Sequence, residues 1–545
     1  MISWIRVAAC FTAVIAGVST AAPRSTPADA AQVRAGEQIY RQGVLPSGEL
    51  VLAEHRDADP MQGQAAACVN CHRRSGLGTV EGHILIPPII PKYLFRSASA
   101  NAAQMAQFPR AASTLTRRPY TEATLARALR EGTDPEGRRF DYLMPRYRLD
   151  EASMSALIAY LRQLSRGPVP GIGGETLDFA TIITPDVDET ERRGMLDVLE
   201  HFFGANNASN RDEATIQRAP EIPKSGARIW RLRVWQLTGP AEGWGQQLLQ
   251  HFAAEPVFAV ISGLGRNNWA PVHHFCQGQS LPCLMPNVDL PVVAENDFYP
   301  VYFSKSVLLE AQIIASRLAP QPASGQRRVL QVYRADDVGA AAAAALRQAD
   351  AANVIQWRER VLKSDAPASE LARVFDEVDS KDTIVLWLRP QDLEELPETP
   401  PPNTGVYISG LMGGLERAPL PSAWRGVARM SYPFELPALR ALGTGFARGW
   451  FAFHRIPTVA ERVQTDTYLA CEILAEAASH MRDNWVPDRL VELIEIELGH
   501  RLVNGDYPRL GLAPGQRFAS KGGYLARLEG TSGTRLVADS DWIVP

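Results

Sequence analysis

Long apolar runs are nearly missing from this sequence. A bilayer crossing needs about 20 consecutive apolar residues, and no segment beyond the first 22 of the 545 offers one, so no permanent membrane span is expected. Charge of one sign is scarce as well. A formal net charge of -4 argues against nucleic acid as a partner and provides no strong steering field. No Ser-His-Asp order, paired acids or phosphate loop stands out. Gly263-Leu264-Gly265-Arg266-Asn267-Asn268 follows a strand pattern but lacks the third glycine of a dinucleotide loop. His273 and His274 are adjacent, and neighbours on a helix point about 100° apart, which suits joint metal binding poorly. Cysteine is rare enough, at six, for each one to be assigned.

Two of the six stand in Cys68-Val69-Asn70-Cys71-His72. Thiols three positions apart can each form a thioether to one vinyl group of the same porphyrin, and the adjacent imidazole then lies against the iron. One covalently attached haem c is therefore expected, with His72 as an axial ligand. The competing reading, half of a zinc site, needs further ligands nearby, and His83 is the only obvious candidate.

The start of the chain agrees with haem attachment outside the cytoplasm. Arg6, the apolar run Val7 to Val18 and the small residues Ser19-Thr20-Ala21-Ala22 make a secretory signal peptide over residues 1–22. Val7-Ala8-Ala9-Cys10 looks like a lipoprotein cleavage box, but no apolar segment precedes it. A periplasmic protein is expected. In that oxidising compartment Cys276 and Cys283, seven apart around a turn-rich segment, are expected to form a disulfide. Cys471 lies in an apolar helical pattern and reads as a buried free thiol.

From Ala31 to Gly43 the chain reads as a helix with Val33, Gly36, Ile39 and Tyr40 on one face. A second helix spans Tyr120 to Arg130, capped by Thr121 and ended by Gly132, and a third spans Glu151 to Leu164, capped by Asp150. The run His83 to Pro91 is apolar but broken by prolines, so it suits the covering of a flat cofactor. With Met144-Pro145 just ahead of the last helix, residues 31–166 resemble a monohaem class I cytochrome c domain, a small all-α fold. The resemblance implies Met144 as the second axial ligand, Met61 and Met105 being rivals, and a proline carbonyl, from Pro87 or Pro88, orienting the proximal imidazole. It implies a six-coordinate, electron-carrying iron rather than an enzyme with an open iron site, and redox partner proteins such as a periplasmic dehydrogenase or another cytochrome.

Residues 167–174, rich in Gly and Pro, read as a linker. Beyond them strands and helices alternate, among them the continuous apolar strand Val257 to Ile261, which suggests two doubly wound lobes. Val260-Ile261-Ser262-Gly263, Tyr302-Phe303-Ser304, the opening of the second lobe at Val332 to Gly339, Tyr507-Pro508 and a closing hairpin turned at Gly530 to Gly533 carry the next resemblance. Residues 175–545 resemble a type I periplasmic binding protein of the branched-chain amino acid and amide group, a two-lobed α/β fold. Ligands of such sheets sit at strand C-termini, which here offer Ser262, Asn287, Asp289, Ser304, Asp336 and Tyr432. Two readings follow. One is an exported haem c electron-transfer protein whose second domain docks a partner or senses a small amino-acid-like ligand. The other is a solute-binding protein of a transporter with an accessory haem.

Overall fold

The computed structural model describes residues 27–55, 59–81, 84–96, 117–216, 228–294, 296–318, 327–350, 353–379, 382–481, 484–529 and 535–545. The signal segment, Cys10, His83, Met105 and the turn at 530–533 lie outside them. The chain divides into two units, Met1–Gly167 and Pro168–Pro545.

In the first unit the helix Pro27–Gln42 packs against the helix Glu151–Leu161. Gly36 makes this possible, since a Cβ there would lie 2.0 Å from the carbonyl oxygen of Ala156. Between them runs Glu122–Glu131, opened by a capping box of Thr121 with Thr124 and closed by Gly132 at φ 71°. Asp150 caps the last helix by accepting from the Ser153 amide at 2.7 Å. The unit departs from the all-α expectation. Leu52–Glu54 pairs antiparallel with Met61–Gln62 and Arg146–Arg148, and Thr79–Glu81 pairs with Ile84–Ile86. These strands are two or three residues long. They form because extended loop backbone must satisfy its polar groups.

The second unit holds two sheets. The first is all parallel, in the spatial order Asn287–Val288, Leu264–Gly265, Thr176–Ile183, Ala259–Ile261, Cys283–Leu284, Pro300–Val301, with Ile229–Gln236 also beside Thr176–Ile183. The second runs Ile355–Leu362, Arg327–Arg334, Asp382–Trp387, Gly405–Ser409, Ala428–Tyr432, all parallel, and then adds Tyr524–Glu529 and Arg535–Ala538 antiparallel. The expected two-lobed α/β architecture is present. After the fifth of these strands the chain returns to the first sheet, where the helix Glu461–Met481 packs against Glu189–Ile216. The expected linker is partly ordered into this unit. Ile172 bridges Leu177, and Gly171, at φ 74°, sits where a Cβ would meet the Phe258 amide nitrogen at 2.1 Å.

Candidate functional site

In the first unit Cys68 precedes a single helical turn, Val69–His72. The Asn70 amide, inside the motif, donates to the carbonyls of Gln64 at 2.8 Å and Ala65 at 3.2 Å, which ties the preceding turn to it. Tyr40, on the first helix, donates its hydroxyl to the Arg73 carbonyl at 2.7 Å. The imidazole of His72 is buried, and its Nδ1 lies 3.1 Å from the Pro87 carbonyl. A carbonyl only accepts, so Nδ1 carries the proton and Nε2 presents its lone pair. Nε2 makes no hydrogen bond among the described residues. Burial pulls the imidazole down to about 4, against a smaller upward pull from Pro87, so the ring is neutral at pH 7. Of the two expected prolines, Pro87 supplies this contact. Gly78 allows it: at φ 72°, a Cβ there would stand 2.1 Å from the Ile86 oxygen and 3.0 Å from that of Pro87.

Cys68 is buried, Cys71 half-buried, and neither is in a disulfide. Burial pushes the Cys68 thiol up to about 11, opposed by a hydrogen bond with the Tyr147 hydroxyl. Cys68 belongs to one apolar cluster with Leu77, Ile90, Leu94, Leu129 and Leu157, and Met144 and Met61 pack half-buried against that cluster. Met144 closes a turn whose amide donates to the Asp141 carbonyl at 3.2 Å, three residues before Tyr147. Two thiols outside any disulfide, a neutral imidazole with an unpartnered Nε2 and an apolar wall fit a haem c. Among the described residues no three His, Cys, Asp or Glu gather in a way that could hold a metal ion, and His83, the ligand the zinc alternative would use, lies outside them.

The strand ends of the second unit are brought together only in part. Ser262, at φ 52°, Asn287 and Thr467 form one buried knot. Asn287 donates to the Ser262 oxygen at 3.1 Å and to that of Thr467 at 3.3 Å. Ser304 instead accepts from the Ser306 amide at 3.0 Å, where the helix Val307–Leu318 begins. Asp336 is exposed, and the neighbouring Asp337 is the one drawn into an ion pair. Arg389 grips Asp337 with two bonds, at 2.8 and 2.7 Å, and reaches Asp289 of the other sheet's side at 2.9 Å. Burial alone would lower the Arg389 guanidinium, but the bonds to Asp337 and the charges of both carboxylates hold it above its ordinary value. Tyr432 is buried, its hydroxyl bonded to Arg440 and lying 3.3 Å from Glu416. Arg440 also pairs with Asp506 at 3.4 Å, and Asp466 lies 3.6 Å from Arg462. Burial raises both carboxyls, and the charge of Asp506 adds to the effect at Asp466.

Sequence reasoning missed Arg389, Thr467 and Asp466. Only Tyr507, which donates to Asp466 at 3.4 Å, lay in a stretch it had singled out. The expected disulfide is also corrected. Cys276 and Cys283 are free, buried and hydrogen-bonded to each other, and burial lifts the Cys276 thiol far from its reactive thiolate form. The glycines of Gly263-Leu264-Gly265 make room for Trp269, whose ring a Cβ at either would meet within about 3.0 Å. His273 is buried between the Tyr302 hydroxyl at 2.7 Å and Asp297 at 2.5 Å.

The family described as cytochrome c matches residues 62–165. A cytochrome c domain therefore spans residues 62–165. No curated protein matches the chain significantly. Solved structures similar to it include a branched chain amino acid ABC transporter protein from Thermus thermophilus with bound valine, at 12% identity, TM-score 0.48, and 68% and 97% coverage of this chain and that one. A substrate-binding periplasmic protein from Ralstonia solanacearum gives 12%, 0.48, and 67% and 100%. A fatty acid ABC transporter substrate-binding protein from Thermomonospora curvata gives 14%, 0.46, and 70% and 95%. What each of these binds is a property of that protein.

Proposed function

We propose that this chain is an exported electron carrier, in which a haem c is held covalently by Cys68 and Cys71 and axially by His72 and Met144. The observation that carries this reading is the Nδ1 contact of His72 with the Pro87 carbonyl, inside a Cys-x-x-Cys-His turn. Bound there, the haem supplies a one-electron couple of the iron. The chain's own residues do the rest. Pro87 fixes the ring tautomer and the direction of Nε2, and the apolar cluster keeps water from the buried face. Tyr147 positions the Cys68 sulfur. Met144 closes the opposite side, so the site moves electrons to a redox partner protein rather than turning over a substrate.

The second unit serves partner docking or small-ligand sensing in this reading. The transporter alternative gains little from the sheet ends, since Arg389 already satisfies Asp289 and Asp337 there.

Mass spectrometry of protein purified from its native compartment tests both halves. A mass increase of one haem on the tryptic peptide containing Cys68 and Cys71, with a reduced-minus-oxidised spectrum of a low-spin c-type haem, is the expected result. An unmodified peptide or bound zinc overturns the proposal, and a co-purified small molecule assigns the second unit to ligand binding rather than partner docking.

A further inference from the structure

Two helices that the sequence pattern did not announce, Pro437–Gly443 and Gly445–His454, bury Ala447 and Phe451 but carry other large apolar side chains outward. Leu442 is 74% exposed, Phe446 72% and Phe453 81%, and Leu502, on the loop after the helix Pro487–His500, is 95% exposed. Phe446, Gly449 and Phe453 fall at i, i+3 and i+7, so they share one helix face. Leu439, Leu442, Leu502 and Val503 line a hollow of about 280 Å³ together with Glu435 and Asn504. Asn504 is nine-tenths buried, and its Oδ1 accepts no hydrogen bond from any described residue. Large apolar side chains this exposed, beside an open hollow lined by Leu439, Leu442 and Leu502, mark an interaction surface.

Charge decides what covers it. Residues 436 to 460 contain Arg440, Arg448 and Arg455 and no Asp or Glu. Arg440 is consumed by Glu416 and Asp506, Arg448 by Glu461, and Arg501 by Glu472 and Glu476. Arg455 and Arg509 are exposed and have no acidic partner among the described residues. Glu435, half-buried on the rim, accepts from the Leu436 amide. Exposed apolar side chains with unpaired cations close by in the chain, Arg455 two residues after Phe453 and Arg509 next to Pro508 of the hollow, suit an anionic layer that can be penetrated.

We propose that this face docks on a bilayer surface rich in anionic phospholipid. Leu442, Phe446, Phe453 and Leu502 enter the boundary between headgroups and acyl chains, and Arg455 and Arg509 meet lipid phosphates. A lipid ammonium or hydroxyl donor satisfies Asn504.

The test is flotation of the full-length, haem-loaded protein with vesicles of phosphatidylethanolamine and phosphatidylglycerol, and with phosphatidylcholine vesicles. Wild type is expected to float with the first and not with the second. The Leu442→Asp/Phe446→Asp/Phe453→Asp variant, and separately Arg455→Glu/Arg509→Glu, should each lose about tenfold in partitioning. Near-UV circular dichroism checks their folding, and the arginine variant carries the test if the apolar one fails to fold. Wild type left behind by the anionic vesicles overturns the proposal, as does undiminished flotation of both variants. Sedimentation showing a wild-type dimer that the triple variant abolishes, with no flotation, also overturns it by assigning the face to contact between copies.

Discussion

Arg389 binds Asp337 and Asp289 at once, the first two residues before the helix Gly339–Gln348 and the second just after the strand Asn287–Val288. One guanidinium thus joins elements of both sheets of the second unit. The three side chains are 14% to 16% exposed. Replacing Arg389 by Ala leaves two carboxylates without their shared cation, Asp337 keeping only the Val338 amide at 2.7 Å. A loss of about 2 kcal/mol is expected, below the 3–5 kcal/mol typical of a fully buried pair. Asp289→Asn should cost less, because a hydrogen bond survives. Urea unfolding followed by tryptophan fluorescence measures this, since every tryptophan except Trp4 lies at residue 230 or beyond. An Arg389→Ala midpoint equal to wild type would remove the pair from the account of this unit.

Met144→Ala should open the distal side of the haem and lower its potential. Axial ligands set haem potentials across a span of ~0.8 V, so a drop on the order of a tenth of that span is expected. Protein-film voltammetry and carbon monoxide binding read it out. If the potential is unchanged and the same replacement at Met61 lowers it, the ligand is Met61.

Gly78→Ala should loosen the proximal side. The added methyl would stand 2.1 Å from the Ile86 oxygen and force away the strand that carries the Pro87 carbonyl. Less attached haem per chain is expected, and in the protein that does mature an altered potential. Both values unchanged from wild type would show that the carbonyl contact does not position His72.

Glu310 is fully buried in the second unit, held by Ser409 and by the Leu411 amide at 3.0 Å. Burial pushes its carboxyl from 4.5 up to about 8, against smaller opposing hydrogen bonds from Ser409, Leu411, Ser431 and Gly410. The sign follows from proton counting. Below pH 4.5 both folded and unfolded chains hold the proton. Between 4.5 and about 8 only the folded chain does, so stability falls as pH rises through that window. Glu310→Gln should flatten the fall, leaving the part due to Asp466 and Asp506. Stability measured at intervals of pH tests this, and an unchanged slope in the variant would count against it.

The sequence made local devices legible and distant pairings not. Thr121, Gly132 and Asp150 announce helix ends because a cap needs only its own first or last turn. The haem motif is legible for the same reason, its three groups lying within five residues. Two-residue strands such as Met61–Gln62 have no period to detect. Asp289 and Arg389 are a hundred positions apart, and nothing near Asp289 marks it as paired. Pro437–Gly443 and Gly445–His454 were missed because their outer faces are apolar, which erases the contrast that periodicity reads. Ser304 shows why a strand end is hard to read: strand ends gather Ser and Asp for capping and turns, as Ser304 does with the Ser306 amide, whatever a cleft requires.

The first and last helices of the haem unit interlock through Gly36 against Ala156, and the same first helix holds the haem motif through Tyr40. A segment whose two ends are each other's partners carries its own closure. It can be joined to another protein after Gly167 without opening that helix pair, so the segment around Cys68 and His72 is portable as one piece.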